Sequence, residues 1–208
     1  MKRAIGTLAT RTRILRGTLL FTSILFIMGV IFGAILVNVM GPEQRNELLD
    51  DLNQFFLHVS HSQTDSPGIL NMLGEELRLV LVLWILGLSV IGFPLILAIV
   101  FAKGMAIGFT VGFLVQQLTW KGILLAAVSV LPQNLLLIPA LLLASSASIL
   151  FSLSLLRMIF RKGPAMVREE WLQYNGIMLT VGGIFFVAVL VESYVSPYLI
   201  GWVTSAWS

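Results

Sequence analysis

Residues 79–156 read LVLVLWILGLSVIGFPLILAIVFAKGMAIGFTVGFLVQQLTWKGILLAAVSVLPQNLLLIPALLLASSASILFSLSLL, and in these 78 residues Lys103 and Lys121 are the only charges. A water-facing domain draws about a quarter of its residues from Asp, Glu, Lys and Arg. The whole 208-residue chain is 11% charged and 58% hydrophobic. A helix crosses about 30 Å of hydrocarbon with about 20 apolar residues. The quoted stretch therefore holds several crossings, and the fold class is an all-α polytopic membrane protein. The chain has no cysteine, which excludes disulfides, thiol catalysis and cysteine-ligated metal.

Outward from this stretch, the charges sort by side. Lys2, Arg3, Arg11, Arg13 and Arg16 precede an uncharged run of 24 residues, Gly17–Met40. The run is too long for a signal peptide and no small-residue cleavage site follows it before Gly41-Pro42. Residues 1–16 then form a basic cytoplasmic N-terminus and 17–40 the first span. Residues 41–77 follow as an outer loop, because seven acids (Glu43, Glu47, Asp50, Asp51, Asp65, Glu75 and Glu76) stand there against Arg45. The second span is expected over about 78–102, turning back at Lys103, and the third over about 104–120.

Residues 122–160 are too long for one span and barely enough for two. Pro132, Gln133, Asn134 and Pro139 interrupt them. A re-entrant or outer-face segment over about 122–134, followed by one span over about 135–158, keeps Arg157, Arg161, Lys162 and Arg168 on the basic side. Residues 161–174 form a cytoplasmic loop, and 175–208 the fifth span with an outer C-terminus. The total is about five spans, with residues 78–160 holding spans 2–4.

The outer loop carries one helical signal, over residues 43–60. Leu48, Leu49, Leu52, Phe55, Phe56 and Val59 recur at helical spacing, and Gly41-Pro42 can start the helix. The acidic face includes Asp50 and Asp51. Such a helix either lies on the interface or docks an outside partner, and Asp50, Asp51, Leu52, Phe55 and Phe56 are its candidate contacts. His58 and His61 are the only histidines, and with no cysteine nearby they read as solvated loop residues rather than a metal site. Gly29 and Gly33 form a GxxxG pair, and Gly104, Gly108 and Gly112 a longer ladder. Small residues one turn apart let helix backbones approach closely in lipid. They serve packing within the chain or against a partner or second copy, so homo-oligomerisation stays open. Gln133 and Asn134 either cap a broken helix or line a polar path. Glu192, near the outer end of the last span, is a candidate for pairing or for partner contact.

No Asp follows Asp65 and no His follows His61, so two-aspartate, Ser-His and zinc mechanisms inside the membrane lack their groups. No phosphate loop or dinucleotide fingerprint is present. No enzyme activity, cofactor, metal or nucleic acid is expected. What remains is a protein of the lipid bilayer that conducts something or holds other proteins in place.

Several segments, in order, resemble the stage II sporulation protein M family: FIMGVIFGAILVN at 26–38, LNQFF at 52–56, KGMAIGFTVGFLV at 103–115, and VSVLPQN at 128–134 followed by IPA at 138–140. The wider family often carries Pro-His-Gly near Pro132-Gln133-Asn134, and this chain departs from it there. The resemblance implies a non-enzymatic membrane scaffold of engulfment in the mother-cell membrane at the sporulation septum. It implies that this scaffold localises stage II sporulation proteins D and P, which degrade peptidoglycan outside that membrane. The alternative is a membrane subunit of a transporter or exporter driven by a partner ATPase.

Overall fold

A computed structural model of the chain describes residues 2–41, 43, 44, 46–48, 50, 69–129, 131–161 and 167–205. The described residues form five long helices: α1 (Lys2–Val39), α2 (Ile69–Gly87), α3 (Gly92–Ser129), α4 (Leu131–Arg161) and α5 (Val167–Ser205). Residues 43, 44, 46–48 and 50 are also helical. Four of the long helices carry stretches long and apolar enough to cross a membrane: Ile14–Val39, Gly92–Gln117, Asn134–Met158 and Glu170–Leu190. The fold is that of an all-α polytopic membrane protein. Its perimeter carries Leu20, Phe21, Ile24, Ile27, Met28 and Ile31 on α1 alone, each at least half exposed. A water-soluble monomer does not present an apolar surface of that extent, whereas lipid covers it at no cost.

The five-span expectation is corrected in its middle. The chain does not turn at Lys103. It turns at residues 88–91, where Ser89 donates its N–H to Leu86 O (3.0 Å) and Gly92 donates to Ser89 O (3.1 Å). A Cβ at Gly92 would overlap the Leu86 carbonyl, so glycine is required for the close return. Pro94 follows in the first turn of α3, where a missing N–H costs nothing. The expected second span, 78–102, is thus split across this turn, and the second and third spans become α2 and a single long α3. Among the described residues only four helices meet the length and apolarity of a span. The nineteen-residue α2 falls outside them because Glu75, Glu76 and Arg78 lie within it.

The expected re-entrant segment at 122–134 is likewise not a separate element. Residues 122–129 continue α3, and 131–134 open α4. Pro132 sits in the first turn of α4, which needs no N–H there, and the helix runs on through Pro139. The basic segment before residue 17 is helical from Lys2, and the last helix begins at Val167, inside the expected loop.

Contacts fix the relative directions. Phe26, Val30 and Ala34 of α1 lie over Gly104, Gly108 and Gly112 of α3 in that order, so α1 and α3 run parallel. The tight turn makes α2 antiparallel to α3. Leu83 of α2 and Ser89 just beyond it meet Ser148 and Ser152 of α4 in rising order, so α2 and α4 run together. Ser154 of α4 meets Glu170 of α5, and Ser148 meets Tyr174, so α4 and α5 are antiparallel. Hence α1, α3 and α5 point one way, and α2 and α4 the other. The core between α2, α3, α4 and α5 is built from Leu83, Ile96, Val100, Leu141, Met178 and Phe185, all essentially inaccessible.

Candidate functional site

The turn at 88–91 decides where charge enters the bundle. Glu76 and Lys103 each lie eleven residues from the helix end flanking that turn, Gly87 and Gly92. The hairpin therefore brings them side by side. Lys103 Nζ donates to Glu76 Oε1 at 3.2 Å, with the side chains 33% and 14% exposed. Lys103 is eleven residues from one end of the Gly92–Gln117 stretch and fourteen from the other. At about 1.5 Å per residue neither end is within reach of its side chain, so the charge finds its partner inside the bundle. A lone charge at the centre of a crossing helix costs about 3 kcal/mol, and the carboxylate of Glu76 offsets that cost.

Glu76 Oε2 is buried and has no hydrogen-bond partner among the described residues. It borders a cavity of about 10 Å³ whose walls include Lys103, Asn134, Leu137 and Phe185. That volume is close to the minimum needed for one water molecule. Asn134 is half-buried here and has a partner of its own.

A second polar cluster lies nearer the 88–91 turn. Carbonyls near the end of α2 take side-chain donors from α4 and α5. Tyr174 Oη donates to Trp84 O at 2.8 Å, and Ser148 Oγ donates to Leu83 O at 3.0 Å. Ser152 Oγ donates to Ser89 O at 2.8 Å just beyond. Trp84 Nε1 donates to Asn175 Oδ1 at 3.0 Å. Ser146 and Thr22, both inaccessible, share a hydrogen bond of 3.1 Å that ties α4 to α1. Gly87 faces the Tyr174 hydroxyl so closely that a Cβ would overlap it. In the serine-rich run at 145–154, Ser146, Ser148, Ser152 and Ser154 thus bind neighbouring segments, while the buried Ser145 Oγ has no partner among the described residues. Ring stacking of Phe151 on Tyr174, with centroids 4.5 Å apart, fixes the tyrosine.

The five glycines singled out from the sequence meet one another's helices. Added Cβ atoms at Gly29, Gly33, Gly104 and Gly108 would overlap backbone carbonyls of Phe101, Met105, Phe26 and Val30 in turn, and Gly112 faces Ala34 Cα. Each ladder uses its glycines to receive the other helix's backbone. At the far end of the same contact, Gln116 Nε2 donates to Asn38 Oδ1 at 3.1 Å.

The remaining candidates fall apart from these clusters. Asp50 is exposed on the short helical stretch after α1. Asp51, Leu52, Phe55 and Phe56, with His58 and His61, lie outside the described residues. Gln133 lies in the first turn of α4 and Glu192 on α5, but the described side chains include neither. The sequence reading missed the Glu76–Lys103 pair because it took Lys103 for the end of a span. The signal that could have found it is the turn chemistry of Ser89, Gly92 and Pro94, which moves the reversal fourteen residues earlier.

Comparison with known families gives one match. The family model described as stage II sporulation protein M matches residues 22–197. The match takes in most of the chain, including the glycine ladders, the ion pair and the serine cluster, so the chain belongs to that family of sporulation membrane proteins. Searches of curated proteins and of solved structures gave no match.

Proposed function

We propose that this chain is a non-enzymatic scaffold of engulfment. It sits in the mother-cell membrane at the sporulation septum and organises peptidoglycan-degrading partners, stage II sporulation proteins D and P, on the outer side. The observation that carries this reading is how the polar groups of the bundle are spent. The mid-span pair of Glu76 and Lys103 borders a cavity of about 10 Å³, room for about one water and for no solute. Ser148, Ser152, Tyr174, Trp84 and Asn175 bond to backbone or to one another across helices. Transport by a partner-driven permease needs a continuous polar route, and these cross-helix bonds engage groups that such a route would use.

The alternating helix directions support opposite sides for the two termini once α2 is counted as a fifth pass. The basic N-terminus favours the cytoplasm, which leaves residues 41–68 and the C-terminal end of α5 on the partner side. The exposure of Asp50 supports the reading of residues 43–60 as an acidic docking surface. Charge reversal at Asp50 and Asp51, or Leu52→Asp with Phe56→Asp, should then release the hydrolases while leaving membrane insertion intact. The check is co-purification from sporulating-cell membranes with a tag on the N-terminus. Full hydrolase recovery with a stable mutant would show that this segment does not dock them. Recovery of a nucleotide-binding subunit in their place would favour transport.

A further inference from the structure

The end of the bundle that holds Arg157 carries a cleft unrelated to the ion pair. It opens between α1, α4 and α5 with a volume of about 340 Å³. Its depth in the membrane can be read from the lining. Ile14 opens the first apolar stretch, Glu170 opens the last, and Arg157 is one residue from the end of Asn134–Met158. Three helices thus contribute span-end residues to one cleft, which puts its rim at the level of the lipid headgroups. Trp171, 44% exposed and stacked at a tilt on Phe151, suits that level, where amphipathic rings are enriched.

The lining divides by chemistry. Ile14, Leu150, Phe151 and Ile177 form an apolar wall on the span side. Ser154, Arg157, Glu170 and Gln173 form the polar rim. Glu170 is engaged, since Ser154 Oγ donates to its carboxylate, and Gln173 also has a partner. Arg157 is exposed and forms no ion pair among the described residues. Arg16, likewise exposed, follows the lining residue Leu15. Segments 2–16, 157–161 and 167–168 at this end hold eight bases, against the acids Glu169 and Glu170. The occupant such a cleft selects has an acyl chain for the wall and a negative headgroup for the guanidinium. Basic pockets between crossing helices bind anionic lipids in this manner.

We propose that this cleft is a binding site for an anionic phospholipid of the leaflet that meets the basic end of the bundle, with Arg157 holding the headgroup phosphate. A bidentate guanidinium–phosphate contact is the strongest pairing available to that group. The site is independent of any partner on the opposite face.

The test is native mass spectrometry of the full-length chain in mild detergent, offered equal phosphatidylglycerol and phosphatidylcholine of matched acyl chains. Phosphatidylglycerol is expected to be retained about fivefold over phosphatidylcholine, the preference one basic contact near the headgroup layer gives. Arg157→Gln should bring the ratio close to one. Leu150→Trp, which fills the apolar wall and keeps the charge, should lower retention of both lipids. Equal retention by the unmodified chain would overturn the proposal, as would an unchanged ratio in Arg157→Gln. If inorganic phosphate displaces the phosphatidylglycerol at millimolar concentration, the site takes a soluble anion and the lipid assignment fails. Should Arg157→Gln aggregate, Ile177→Trp decides: undiminished lipid retention in that variant would place the lipid elsewhere.

Discussion

Along residues 26–34 and 101–112, α1 meets α3 backbone to backbone at glycine. Against α4 and α5, by contrast, α2 is held through hydroxyl, indole and amide hydrogen bonds. Both contacts sit in the same bundle, and lipid offers no hydrophobic drive for either, since its tails are as apolar as leucine. The first contact therefore relies on close approach and summed dispersion. The second relies on polar groups that would otherwise be unsatisfied in hydrocarbon. The glycine contact resists any gain of volume, and the polar contact resists any loss of a partner. A bundle using both tolerates little change at either, while its lipid-facing perimeter stays permissive.

The largest expected effect tests the glycine side. Gly108→Leu would drive a side chain into the Val30 carbonyl. It should cost about 3 kcal/mol or more, at the upper end for overpacking, read as a collapse of the thermal unfolding midpoint in detergent. Gly183→Leu is the control, because no described residue lies within 4 Å of a Cβ there, and it should leave the midpoint within about a degree or two, the scale of a surface change of under about 0.5 kcal/mol. Equal effects at the two glycines would mean that close approach is not what holds α1 to α3.

The ion pair comes next. Lys103→Ala leaves the Glu76 carboxylate without its cation and should destabilise by about 3 kcal/mol. Combining Lys103→Met with Glu76→Gln should recover most of that, because removing both charges removes the uncompensated one. A double mutant no better than the singles would point to a role beyond mutual neutralisation. The smallest effect tests the polar cluster. Tyr174→Phe removes the donor to Trp84 O and keeps the ring stacked on Phe151, so a loss of about 1 kcal/mol is expected by the same unfolding measurement. No change would mean that the α2 carbonyls find other donors.

Several elements were legible in residue order alone. The first, fourth and last spans follow from apolar runs of crossing length: the stretches Ile14–Val39 and Asn134–Met158 lie close to the expected 17–40 and 135–158, and Glu170–Leu190 overlaps the segment expected from 175 on. The glycine positions were visible as spacing, but spacing does not say which helix they face. Lys103 was visible as an isolated charge and was given the wrong meaning. A charge in an apolar run marks either the end of a crossing or a buried partner. Only the position of the preceding reversal separates the two.

By itself, the sequence determined that this chain lives in a bilayer, which segments are apolar enough to cross it, and where the basic residues cluster. Those follow from transfer free energies that are local and additive along the chain. The tertiary structure alone decided that Glu76 neutralises Lys103, that two glycine ladders interlock in parallel, and that serines and Tyr174 close the carbonyl end of α2. Each of these pairs groups from different helices, and the choice of partner depends on the turn at 88–91 and the helix directions it sets. That geometry is a property of the packed bundle and has no counterpart in any single stretch of sequence.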